Sequence, residues 1–139
     1  MQLTTHTDLS LRVLIYLALK PGELGVISDI ARHYGASKNH LVKVVHKLAT
    51  LGYINSFQGR GGGIKLRKQA DNIIVGKVVR DMENTMDVID CAGTGCPLLP
   101  ACHLKPILNA ATSAFLEVLD NYSIADLITN KQQLLKLVG

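Results

Sequence analysis

No apolar run in this sequence approaches the ~20 residues that a helical membrane span needs. The longest, Val13 to Leu19, follows Arg12 and stops before Lys20, Pro21 and Gly22. The opening Met1-Gln2-Leu3-Thr4 lacks the basic stretch of a secretory leader, so the expected location is cytoplasmic, with no membrane partner. Cysteine is scarce, three residues in all, and none forms the Cys-x2-Cys pair that structural zinc sites use. The five histidines are scattered singly. With no Ser/His/acid grouping, no paired carboxylates and no cofactor fingerprint, an enzyme is not expected. There is no internal repeat and no low-complexity segment. Acidic residues are few in the first half: residues 1–70 carry ten Lys/Arg against three Asp/Glu, whereas residues 71–139 carry five against eight. The basic half is suited to face a polyanion.

A chain of 139 residues with 47% hydrophobic residues buries one good core and would struggle to build two. A single domain over 1–139 is expected, with its DNA-binding part at about 1–70. The repeat of Leu9, Val13, Tyr16 and Leu17 predicts a helix from Asp8 to Lys20, ended by Pro21 and Gly22. Thr5 to Asp8 has the form of a capping box, in which Asp8 bonds backward to a free amide. Ser28 suits the N-cap of a second helix, Asp29 to Tyr34, which Gly35 breaks. Ser37 suits the N-cap of a third, running to about Leu51, with Leu41, Val44, Val45 and Leu48 as its apolar stripe. Helix, glycine turn and helix make a helix-turn-helix over 28–51.

The face opposite that stripe is where a DNA reader would place its donors. At 100° per residue, Asn39, Lys43 and His46 point away from the core, with His40 and Lys47 on the flank. Ser37, Lys38, Asn39, His40 and Lys43 could serve base edges and phosphates. For His46 and Lys47 an ordinary solvated face is the fair alternative. Gly52 to Phe57 and Ile64 to Leu66 read as two strands of a hairpin with the tip Gln58 to Gly63. Four glycines around Arg60 let the backbone lie close to a partner while the guanidinium projects into a minor groove. A nucleotide-binding loop is the competing use of such glycines, but the Lys-Ser/Thr ending and following helix are missing.

Ile74 to Glu83 reads as a fourth helix leading into the cluster loop at 91–102, which holds Cys91, Cys96 and Cys102. Gly93, Gly95, Pro97 and Pro100 exclude a regular helix there. Three thiols in one such loop suit a soft metal: zinc, copper(I) or an iron-sulfur cluster. The spacing fits zinc poorly, and a cluster would need a fourth ligand from elsewhere. The alternatives are a structural metal, three small hydrophobes, or a metal-free thiol redox sensor. Pro106 suits a helix start, and a dimerisation helix is placed at about 104–121. Its apolar set, Leu108, Ala111, Phe115, Val118 and Leu119 with Ala110 and Ala114 beside it, asks for a second helix, either the same helix of another copy or the first helix of the same chain. Ser123 and Asp126 form another capping box, opening a last short helix.

Thr7 to Arg12, Ile27 to Ala31, Leu51 to Ile54, Gly59 to Gly63 and the three-cysteine loop stand in an order that resembles the winged-helix iron-sulfur regulators of bacteria, the IscR-like family. Within it the chain is most similar to the nitric-oxide-sensing repressors. The resemblance implies a mainly α fold: a winged helix-turn-helix DNA-binding domain with a two-stranded wing, a cysteine loop and a long dimerisation helix. It implies one iron-sulfur cluster per subunit, 2Fe-2S or 4Fe-4S, held by Cys91, Cys96 and Cys102. One branch of the family adds a His three residues beyond the last cysteine, where this chain has Lys105; His103 is too close to Cys102 to replace it. The nitric-oxide-sensing branch uses an Asp near the N-terminus of the partner subunit, a position matched by Asp8. The implied function is a homodimeric repressor of nitric-oxide stress genes on a pseudo-palindromic operator, with nitric oxide as signal. An iron-sulfur or thiol redox-sensing regulator of the same fold, not specific for nitric oxide, is the second reading.

Overall fold

The computed structural model describes residues 1–139 as six helices and one two-stranded sheet: α1 (Thr5–Leu19), α2 (Ile27–Tyr34), α3 (Lys38–Thr50), β1 (Ile54–Phe57), β2 (Gly63–Leu66), α4 (Val75–Met82), α5 (Leu104–Leu119) and α6 (Lys131–Val138). Short 3-10 turns occupy Ala70–Asn72, Leu99–Ala101 and Ala125–Ile128. No helix is long and apolar enough to cross a membrane. The core is centred on α1, which packs against α3, α4, α6 and β2. Leu9, Val13, Leu14, Tyr16 and Leu17 of α1 meet Leu41, Val44, Val45 and Leu48 of α3 in one buried cluster. Each such side chain contributes about 1.5–3 kcal/mol on burial, so the expected stripes of both helices do what their spacing implies.

The helix-turn-helix forms as read, with its boundaries moved. Gly35 ends α2 in the left-handed region, φ +59°, which a side chain resists. Ser37 caps α3 by accepting from the His40 amide at 3.4 Å. The expected cap at Ser28 is absent: α2 begins two residues earlier, at Ile27 after Val26, with no side-chain cap. Its opening amides, Asp29 and Ile30, donate instead to the Val26 carbonyl.

The capping box at Thr5 and Asp8 is likewise corrected. Thr4 caps α1, its hydroxyl accepting from the Thr7 amide at 3.3 Å. The Thr4 amide donates to Glu83 at 2.6 Å, from the far end of α4. Asp8 therefore lies inside the helix, where Arg12 one turn on holds its carboxylate at 2.9 Å.

The wing is antiparallel, with Ile54 opposite Leu66 and Ser56 opposite Ile64. β1 starts at Ile54 rather than Gly52 because the Tyr53 amide still bonds back to Leu48 of α3. The base of the wing is pinned by Gly25, which exchanges two backbone hydrogen bonds with Ile64, at 2.7 and 2.8 Å. A Cβ on Gly63 would stand 2.6 Å from the Gly25 carbonyl oxygen, so glycine is required there for the loop to approach.

α5 begins at Leu104, two residues before Pro106, and ends at Leu119 rather than 121. Pro106 sits in its first turn, where a missing N–H costs nothing. The helix packs on α4 rather than on α1, and Leu116 is its one buried residue. Arg80 of α4 grips Asp120 through two hydrogen bonds, at 2.5 and 2.8 Å. A bridge from Ile74 to Ser123 closes the same corner. The capping box of Ser123 and Asp126 is formed in both directions. The rest of α5 projects, with Ile107 63% and Val118 58% exposed.

Candidate nucleic-acid interface and cysteine loop

α3 presents Ser37, Lys38, Asn39, Lys43 and His46 to solvent. Its N-terminus offers amides and cations together, the arrangement that binds phosphate and leaves side chains free for base edges. His40 is different: half-buried, its ring stacks on His6 of α1 at 5.9 Å between centroids. Burial, together with the charges of Lys47 and His40, holds the His6 imidazole below its ordinary value, with Glu83 opposing. Lys47 is also half-buried, its ammonium donating to the Met82 carbonyl at 3.4 Å. It thus clasps α4 rather than standing on a solvated face. One residue of the exposed face escaped the reading of polar positions: Val42, 45% exposed. The helical wheel contained that signal, since Val42 lies three residues after Asn39 and next to Lys43.

At the wing, Gly59 and Gly61 take positive φ, +85° and +70°, and Arg60 between them is fully outside the core. Lys65, Arg67 and Lys68 add exposed cations just beyond the tip. The ammonium of Lys65 lies 5.2 Å from the centre of the exposed Phe57 ring.

Behind α3, the start of the wing is fastened to α4. The buried Tyr53 hydroxyl donates to Asp81 at 2.5 Å, and Lys77 donates to the same oxygen at 2.9 Å. Burial pushes the Asp81 carboxyl up, but the Tyr53 and Lys77 donors prevail and hold it below the ordinary carboxylate value. Tyr53 is correspondingly pushed up, by burial and by its bond to Asp81.

The cysteine loop follows α4 and is built from local turns, as its glycines and prolines require. The Cys96 amide donates to the Cys91 carbonyl at 3.2 Å, and Asp90 accepts from the Gly93 amide at 2.7 Å. Leu99 donates to Cys96 just before the 3-10 turn that delivers Cys102. All three thiols are free and half-buried, and none belongs to the core. In this conformation no three of His, Cys, Asp and Glu converge on one metal-sized point. Asp8 stands apart from the loop, on the surface of α1 with Arg12.

The donors nevertheless fit a soft metal group. Three thiols with no packing duty and no disulfide are available, and the turns that hold them are local and can re-form around a ligand. The carboxylate of Asp8 is about half exposed, so a second copy could reach it.

Residues 3–130 match the family model described as Rrf2, iron-dependent transcriptional regulator. The chain is 46% identical to the HTH-type transcriptional regulator NsrR of Bacillus subtilis, over 99% of this chain and 97% of that one. It is equally similar, 46%, to NsrR of Bacillus licheniformis over the full length of both. Among solved structures it resembles the oxidized form of Staphylococcus aureus CymR, with a TM-score of 0.75 and 27% identity, over 93% of this chain and 97% of that one.

Proposed function

The chain belongs to the Rrf2 family of iron-dependent transcriptional regulators, and from that premise we propose that it is a homodimeric repressor whose DNA binding is controlled by nitric oxide through an iron-sulfur cluster. That it is a DNA-binding transcriptional regulator and not an enzyme follows from the family itself. The finer reading is carried by one observation. All three cysteines lie in one solvent-accessible loop that continues directly from α4, and the end of α4 is bonded to the reading helix by Lys47 and to the start of α1 by Glu83.

Cys91, Cys96 and Cys102 would hold the cluster, with Asp8 of a second copy as the fourth ligand. When bound, the cluster supplies iron that nitric oxide can attack, and a hard carboxylate beside three soft thiolates is its weak point. To reach that position, Asp8 gives up its ion pair with Arg12. The loop then ties α4 of one copy to α1 of the other, and Met82 passes the loop's position to α3 through Lys47, while Glu83 passes it to the start of α1 through Thr4. Released thiols free the loop, and the two reading helices lose the separation that suits DNA. On the nucleic acid, Ser37, Lys38, Asn39 and Lys43 occupy a major groove, with His40 at its edge where it stacks on His6, and Arg60 of the wing enters the neighbouring minor groove. Two-fold symmetry calls for a pseudo-palindrome with half-sites one helical turn, or a multiple of it, apart.

The test is iron and acid-labile sulfide analysis of anaerobically purified protein, followed by operator binding before and after nitric oxide. Brown protein whose visible absorption and DNA affinity both fall on exposure supports the reading. Colourless protein with stoichiometric zinc overturns it. A cluster bleached by other oxidants but indifferent to nitric oxide would favour the redox-sensing regulator instead.

A further inference from the structure

On the reading face of α3, the side chains of Asn39, Val42, Lys43 and His46 lie within about 100° of one another around the helix axis, at 100° per residue. Three of them are polar donors that water satisfies when no DNA is present. Val42 is not: its isopropyl group is 45% exposed and adds nothing to the buried stripe of Leu41, Val44, Val45 and Leu48 on the other side. Val42 is also β-branched, which is mildly unfavourable in a helix. Its position between donors and cations, in the basic half of the chain, points to a partner that is polyanionic yet offers a small apolar spot. In the DNA major groove that spot is the 5-methyl group of thymine, the one apolar feature on any base edge.

We propose that Val42 is a specificity-determining residue that reads the 5-methyl group of a thymine in each half-site. The inference rests on the reading of α3 as the helix that enters the major groove. Asn39, about one turn before it, and Lys43, the next residue, fix the register of the helix against base edges and phosphate, and Val42 then buries its methyl groups against that of the thymine. The contact carries no charge, so it discriminates between bases without altering the salt dependence of binding. Deleting one methyl group from such a contact weakens binding about fourfold, and roughly fifteenfold when both half-sites of a symmetric operator are altered.

The experiment uses the full chain with an operator recovered by selection from random duplexes. Each thymine within a half-site is replaced in turn by deoxyuridine, which differs only in lacking the methyl group. Wild type should lose about fourfold per half-site at one position. Val42→Ala should bind the thymine operator with a similar loss and be indifferent to deoxyuridine at that same position, with the slope of affinity against salt unchanged. Val42→Ile, which keeps the apolar contact, should retain the preference for thymine and shows that the substituted helix still folds and docks. If deoxyuridine is tolerated at every position, or if Val42→Ala keeps the full deoxyuridine penalty, the proposal is overturned while the DNA-reading role of α3 stands. If wild type selects no sequence at all, both fall together.

Discussion

The two halves of the molecule solve opposite problems. Residues up to about 70 bury their apolar residues within one chain: α1, α2, α3 and the wing supply most of the core, and their exposed surface is basic. The second half is acidic, and its longest helix leaves several of its apolar side chains uncovered. Ile107 and Val118 of α5 are more than half exposed, while Leu116 is the helix's one buried residue. The first half is therefore built to keep its shape alone, whereas the second leaves apolar surface on α5 that the same chain does not cover. α4 is the hinge between them. It contributes Val78 and Met82 to the core, grips α5 through Arg80 and Asp120, and runs into the cysteine loop.

The largest effect separating the halves is on stability. Leu48→Ala, at a fully buried position, should cost about 2–5 kcal/mol in urea unfolding. Ile107→Ala should leave the unfolding of dilute monomer almost unchanged but raise the dimer dissociation constant in sedimentation. Equal destabilisation by both would mean that α5 is part of the core after all.

DNA affinity sharpens the contrast within the first half. Arg60→Ala should cost roughly 1–3 kcal/mol, most on operators with A/T-rich sequence beneath the wing. Lys43→Ala, if it touches only phosphate, should weaken every sequence alike and lower the salt slope by about one. Competition binding at several salt concentrations measures both, and uniform loss for Arg60→Ala would reduce the wing to a phosphate clamp.

A smaller effect tests the fastening of the wing to α4. The Asp81 carboxyl is held below its ordinary value of 3.8, so its contribution is complete above that pH and is lost as pH falls through the folded-state value. Asp81→Asn should cost about 1 kcal/mol at neutral pH and should flatten the fall of Tm below about pH 4. An unchanged acid slope would show that Asp81 is not a source of it.

The smallest effect on stability belongs to Asp8. Asp8→Asn removes an exposed ion pair worth roughly 0.3–0.5 kcal/mol, so metal-free protein should melt almost as wild type. Its reconstituted cluster should nevertheless decay faster in nitric oxide, followed by visible absorption. Unchanged decay would leave Asp8 as the partner of Arg12 and nothing more.

Sequence by itself determined whatever is decided within about one helical turn. The stripe of Leu41, Val44, Val45 and Leu48, the Ser37 cap, the break at Gly35 and the Ser123 and Asp126 box were legible because helical period and capping depend on neighbours three or four residues away. The irregular path of the cysteine loop was legible for the same reason, since Gly and Pro restrict the backbone locally.

Tertiary structure decided whatever depends on a distant partner. Thr4 rather than Thr5 caps α1 because Glu83, 79 residues on, captures its amide. His40 is turned toward His6, Lys47 is held by Met82, and Gly25 closes the base of the wing against Ile64. Pairings of this kind carry no periodic signature, because they arise only when the packing of α1 against α3 and α4 brings their ends together. The cysteine spacing likewise brings three thiols into one loop without converging them, since local turns fix the path of the chain but not where its side chains meet.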